Sequence, residues 1–219
     1  MAKQHLPFAA RREIMHNLAM EEIACAGMLS QLPRKLIVMR HGQRIDPTEE
    51  LTPESMAKAK EMRALLERRF GQVVAVLPSD YGRTQNTAKE MGYADTETLT
   101  ELSESVDDYQ AIPWVGNFAE VQRSYLQGGP TKELGDKHAR LYKRLILSKR
   151  SPALVITHET RPEAALASLA KDKPLAALGE SLGYLEGYCL TVRSDKLVSV
   201  ETIRQDQSHE VNLPLEVLL

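Results

Sequence analysis

At 219 residues the chain is long enough for one well-buried domain and short for two. Its 28 Lys and Arg against 30 Asp and Glu leave a net charge of -2, which excludes a bulk basic field for nucleic acid or an acidic membrane and makes any anion site a local one. Cys25 and Cys189 lie too far apart for a zinc knuckle or disulfide framework, and no apolar run approaches the roughly 20 residues of a membrane helix, so the reading is a cytoplasmic protein with no membrane partner.

Residues 1–33 set Ile14, Leu18 and Ile23 at near-helical spacing among Arg11, Arg12, Glu13, Glu21 and Glu22. These charges break up the apolar region of a secretory signal, and the acidic ones argue against a transit peptide, so the stretch reads as an N-terminal helical extension. Lys35 to Met39 is a short branched apolar run suited to a strand buried on both faces, and Val73 to Leu77 is another. Between them Thr52-Pro53-Glu54 opens a helix, with threonine as N-cap and proline in the first turn, and Gly71 stops it. Ser79 and Asp80 are placed to cap a helix that runs to Met91 before Gly92.

The segment from Asp95 to Pro130, with Pro113, Trp114, Gly116, Gly128 and Gly129, is the least regular and reads as a loop-rich lid or insertion. Leu134 to Leu147 carries Leu134, Leu141, Leu145 and Ile146 on one helical face, and the charges of Lys137, Arg140, Lys143 and Arg144 solvate the rest. Ala153 to Thr157 is a third buried strand. Thr160-Arg161-Pro162-Glu163 has the spacing of a capping box ahead of a helix over Ala164 to Ala170. Late strands fall at Tyr188 to Val192 and Leu197 to Thr202, and residues 206–219 read as a C-terminal tail after a domain spanning 34–205. Strand and helix alternate, which implies a layered α/β domain with right-handed crossovers and ligands beyond the carboxyl ends of the strands.

That edge is where the chemistry-bearing residues fall. Arg40-His41-Gly42 follows the first strand directly, and Gly42 permits the turn by which neighbouring side chains converge on one pocket. A neutral imidazole attacks phosphorus with one nitrogen while the other is fixed by a carbonyl, and an arginine offers a planar donor fork to phosphate oxygens. Arg83 lies in the first turn of the helix after the second strand, where backbone N–H groups favour anions. His158 ends the third strand. Any one of these is commonplace, a surface arginine or a packed histidine, but three strand ends delivering Arg-His, Arg and His form a series. His5, His16, His138 and His209 read as surface or packing residues.

Taken in order, these motifs resemble the histidine phosphatase superfamily, also called phosphoglycerate mutase-like, in its compact branch. The resemblance rests on Arg40-His41-Gly42, Leu51-Thr52, the Arg83 to Ala88 helix and His158, and it covers roughly Arg34 to Val192. It implies a three-layer α/β/α sandwich with a mostly parallel central sheet. It also implies a phosphohistidine on His41, a phosphate pocket drawn from Arg40, Arg83 and His158, and no metal or organic cofactor. The substrate would be a small phosphorylated molecule or a phosphoprotein.

Leu99-Thr100-Glu101 looks like the family segment whose glutamate protonates the leaving oxygen, which makes Glu101 the first choice of general acid, with Glu104 close in register. Two departures bear on the branch. Arg44 matches a second arginine of the larger acid-phosphatase branch, although Asp46 stands where that branch has proline, and is taken as an added phosphate ligand. Glu159 replaces the compact branch's usual glycine and is an alternative acid; ionised beside phosphate it would instead repel it. A phosphoglycerate-type mutase and a phosphate-binding or scaffolding protein without turnover are the competing functions. Loops for nucleotide or dinucleotide binding and the zinc-protease helix are absent from the sequence.

Overall fold

Leu36, Ile37, Val38 and Met39 of the first strand, β1 (Arg34–Arg40), have no exposed surface. Alternate residues must therefore meet two different cores. In the computed structural model, which describes residues 32–103, 116–148, 150–206 and 211–219, they do. Ile37 and Met39 pack with α1 (Pro53–Phe70) and α2 (Gly82–Glu90) through Ala59, Met62, Leu66 and Ala88. Leu36 and Val38 pack on the other face with α3 (Phe118–Gln127), α4 (Pro130–Leu147) and α5 (Arg161–Leu169). The expected three-layer α/β/α sandwich is thus present. The helix expected at the N-terminus lies in residues 1–31, outside the described residues.

The remaining strands are β2 (Ala75–Pro78), β3 (Ala153–Thr157), β4 (Gly187–Arg193), β5 (Lys196–Ile203) and β6 (Asn212–Leu218). They form one six-stranded sheet in the order β2-β3-β1-β4-β5-β6. Pairing is parallel from β2 through β3 to β1 and antiparallel from β1 through β4 and β5 to β6. Four strands, β1, β2, β3 and β5, accordingly point the same way, which is the sense in which the sheet is mostly parallel. The stretch 206–219 is not all tail, because β6 pairs along β5. Its alternation of Leu213, Leu215 and Val217 with exposed Pro214 and Glu216 is a half-buried edge strand, where proline's missing N–H is tolerated.

The start of α1 forms as its sequence dictates, since Thr52 accepts the Ser55 N–H at 3.2 Å, Pro53 opens the helix and Gly71 ends it at φ 94°. Two expected caps are not formed. At α2 it is Tyr81 that stands at the N-cap, without a side-chain cap bond, while Ser79 faces inward to Thr84 and His158. At α5, Thr160 makes no cap bond and sits at φ 67°, and Glu163 turns away from the helix start to take the N–H of Leu182 at 2.8 Å. In both places a polar side chain that could satisfy local backbone is drawn into the interior instead. The lid expected over 95–130 contains a 3-10 turn at Thr100–Leu102 and the whole of α3; residues 104–115, with Pro113 and Trp114, lie outside the described residues.

Gly187 faces Met39 across the β1/β4 pair, one residue short of Arg40. A Cβ there would strike the Val38 carbonyl oxygen and lie 2.9 Å from the Met39 Cα. Gly187→Ala is expected to cost about 1–3 kcal/mol, the usual penalty of overpacking. A urea midpoint lowered at unchanged slope is the readout, and an unmoved midpoint would contradict the close approach.

Candidate active site

Register assembles the site. In the parallel ladder Arg40 stands level with Thr157, and Pro78 with Ile156, so the residues that follow these strand ends, His41, His158 and Ser79, emerge side by side. The chain end of β1 is fastened there by His41 N–H to the Thr157 carbonyl at 3.0 Å and by Gly42 N–H to Thr87 Oγ1 at 3.0 Å. The His41 and His158 rings lie edge to face with centroids 5.3 Å apart.

Both imidazoles are buried and neutral. His41, 7 % exposed, is pushed down from 6.5 to about 3, first by burial; its bond to Gly42 opposes this, and Arg83, Arg40 and Arg161 add to it. That shift represents on the order of 5 kcal/mol against the imidazolium, more than one hydrogen bond can recover. Nδ1 meets the Gly42 carbonyl at 2.7 Å, so in the neutral ring Nδ1 carries the proton and Nε2 keeps its lone pair. His158 is driven lower still by burial, then by Arg161, His41 and Arg83. An arginine can only donate, so Arg83 Nε–H at 3.3 Å makes His158 Nδ1 the acceptor, and Nε2–H points to Ser79 Oγ at 2.9 Å.

Among the described residues each expected arginine meets a carboxylate. Arg40 lies 2.5 Å from Glu159, donates to the Leu182 carbonyl at 3.1 Å and stacks on Tyr184. Arg83 is held by Glu49, whose carboxylate takes the Arg83 backbone N–H at 2.8 Å and Nη1 at 3.0 Å. Arg44 meets Asp46 at 2.9 Å and Glu49 at 3.4 Å. Arg40, His41, Arg83, His158 and Glu159 therefore share one cluster, and Arg44 joins it only through Glu49.

Glu101 does not fit the role given to it. Its carboxyl is half exposed and held below the usual range by its own backbone N–H and by Arg144 at 2.7 Å, whereas a general acid needs the opposite shift. Glu104 lies outside the described residues.

Several members of the cluster carry no signal in the sequence. Arg161, 3 % exposed, acts on both histidines, and the left-handed turn at Thr160 is what aims the chain back over the sheet edge. Arg204, just beyond β5, holds the carbonyls of Leu178, Glu180 and Ser181 and the carboxylate of Glu186, and so fixes the loop that presents Leu182 and Tyr184 to Arg40. Only the Arg-Pro dipeptide at a helix start hinted at Arg161. Among the described residues no group of three or more His, Cys, Asp or Glu is arranged to hold a metal, and no helix is long and apolar enough to cross a membrane.

No family model matches the sequence, and no curated protein does. Solved structures do match. A mycobacterial hydrolase aligns with TM-score 0.54 at 17% identity, over 85% of this chain and 93% of its own. A mycobacterial glucosyl-3-phosphoglycerate phosphatase in complex with VO3 aligns with TM-score 0.51 at 19% identity, over 72% and 92%. The phosphoserine phosphatase of Entamoeba histolytica in complex with 3-phosphoglyceric acid aligns with TM-score 0.50 at 17% identity, over 83% and 96%. The chain shares the fold of these proteins. In this chain His41 follows β1, His158 follows β3 and Arg83 lies in the first turn of α2.

Three buried histidines make stability depend on pH. His138, pushed down to about 4 chiefly by burial, joins His41 and His158. Below about pH 6.5 the unfolded chain binds protons that these folded imidazoles refuse, so the stability they confer is full above 6.5 and falls as pH drops toward the folded values. Each contributes up to about 1.4 kcal/mol per pH unit in that window. Urea unfolding at pH 7 and pH 5 should show wild type losing stability, and His138→Leu losing distinctly less. Equal losses would mean that His138 is not held neutral.

Proposed function

We propose that the chain is a phosphomonoester hydrolase working through a phosphohistidine on His41. The observation that carries this reading is the 5.3 Å approach of two neutral imidazoles, one with a free Nε2, in a cluster that also holds Arg40 and Arg83. The His41 Nε2 lone pair attacks phosphorus, the bond to the ester oxygen breaks, and Arg40 and Arg83 hold the phosphoryl oxygens, joined by His158 once its Nε2–H turns from Ser79 to the phosphate. Water then attacks phosphorus and passes a proton to the carboxylate that served as acid, the P–N bond breaks, and phosphate leaves with His41 neutral again. The reaction as written uses no metal or organic cofactor. The ligands and names of the fold neighbours, phosphoserine, 3-phosphoglyceric acid and glucosyl-3-phosphoglycerate, favour a small phosphorylated substrate.

The leaving oxygen needs a proton, and Glu159 is the better donor. In the free protein Glu159 is neutralised by Arg40. A phosphate dianion that takes over the Arg40 guanidinium releases the Glu159 carboxyl beside the leaving oxygen, and from there it gives a proton to the alkoxide.

Hydrolysis of an aryl phosphate in chelator, with wild type and His41→Ala side by side, tests the first claim: turnover and an acid-labile phosphoenzyme are expected only in wild type. Glu159→Gln tests the second. It should cost about 10² to 10⁴ in kcat on an alkyl phosphate, the range for a lost general acid, and far less on an aryl phosphate whose phenolate leaves unaided. Equal losses on both would remove Glu159 from the acid role. The Arg40–Glu159 pair also favours one alternative, a phosphate-binding protein without turnover. It would be stabilised by vanadate yet form no phosphoenzyme.

A further inference from the structure

Next to the histidine pair lies a cavity of about 180 Å³, lined by Arg40, Glu159, Glu163, Glu180 and the loop around Leu182. Arg40 precedes His41 and Glu159 follows His158, so the 2.5 Å ion pair that lines this cavity adjoins the histidine pair in the chain. The guanidinium and the Glu159 carboxylate cancel each other. What remains in the wall is acidic: Glu180, exposed, and Glu163, 1 % exposed.

Glu163 is the unusual member. Its Oε1 takes the Leu182 N–H, while its Oε2 is buried with no hydrogen-bond partner among the described residues. Burial raises its pKa, Glu159 adds to the rise, and the Leu182 bond and Arg40 oppose it. Leaving a carboxyl oxygen dry and unpaired costs free energy that a donor in the cavity would recover. An ammonium group has three N–H donors for that oxygen and a charge that the exposed Glu180 carboxylate attracts. A metal ion suits the wall less well, for no metal-binding geometry is found among the described residues.

We infer that this cavity receives the ammonium group of an aminoalkyl phosphate whose phosphoryl group lies against His41. The inference rests on the hydrolase reading for the phosphoryl half alone. Hydrolysis of such an ester breaks its P–O bond, with water supplying the hydroxyl to phosphorus and the proton to the alkoxide, and yields an amino alcohol and phosphate. An ester carrying a carboxylate in place of the ammonium would face Glu163 and Glu180 and be repelled, which sets the chain apart from a protein that binds 3-phosphoglyceric acid.

The test compares kcat/KM for phosphoethanolamine, for propyl phosphate, in which methyl replaces ammonium, and for phosphoglycolate. Wild type should prefer phosphoethanolamine to propyl phosphate by at least about tenfold, the low end for a hydrogen bond to a charged group. Phosphoglycolate should be the poorest. The ratio should shrink in Glu163→Gln and in Glu180→Gln, and because both esters are measured in the same variant, general damage cancels. Aryl phosphate turnover without any preference in wild type overturns the cavity assignment and spares the hydrolase. So does a preference that survives both substitutions. Should no ester be hydrolysed, the hydrolase reading fails, and thermal shifts still decide the cavity: a larger shift with phosphoethanolamine than with propyl phosphate upholds it, and equal shifts refute it.

Discussion

The tautomer of His41 is set by a 2.7 Å bond to the carbonyl of the next residue, and much of the surrounding structure exists to keep that ring uncharged. A second imidazole 5.3 Å away and three guanidiniums in electrical contact disfavour a second proton on either ring. Burial is the largest contribution, and burial here is a property of the fold: the ring follows a strand whose core residues are covered on both faces. A nucleophilic imidazole could also be kept neutral by solvent at high pH. This one is neutral at any physiological pH, at the cost of the free energy needed to desolvate it.

The fold was legible in the sequence wherever a single pattern decided the element. β1 and β3 are uninterrupted branched runs, and both are central. α1 has its threonine, proline and glycine in the textual order that capping chemistry requires, and it formed with those ends. Where two structures competed for one polar side chain, local reasoning failed. Ser79 and Glu163 were read as helix caps because a cap is the nearest use for them, yet tertiary partners in the interior, His158 and Leu182, outbid the helix ends. β6 lies in the stretch read as a tail, and its Pro214 is tolerated because an edge strand needs no N–H there.

The site was legible to the same extent and for related reasons. Residues attached directly to strand ends, Arg40, His41 and His158, are placed by register, and register follows from hydrophobic pattern. Residues whose role depends on loops were beyond that logic. Glu101 sits at the expected place in the chain but answers to Arg144 on α4, a partner that no local motif announces. Arg161 and Arg204 come close to the site only because the left-handed turn at Thr160 and the 178–186 loop carry the chain around it.

The distribution of charge then explains why so many arginines can be gathered around two neutral rings. Arg40 is matched by Glu159, Arg83 by Glu49 and Arg204 by Glu186. Unmatched guanidiniums in a half-buried cluster would repel one another and destabilise the fold, so an internal carboxylate stands in for the anion at each. An arriving phosphate must displace these stand-ins, and its affinity is the difference between two sets of ion pairs rather than the sum of one. Two carboxylates in this arrangement are unequal. Glu49 accepts from the backbone N–H of Arg83 as well as from its guanidinium, and its own carbonyl is held by Asn86, so it is fixed to the start of α2. Glu159 pairs with Arg40 at 2.5 Å beside the cavity, and its carbonyl accepts from Arg161 at 3.3 Å. A phosphate that takes over Arg40 therefore frees the carboxylate that directly follows His158.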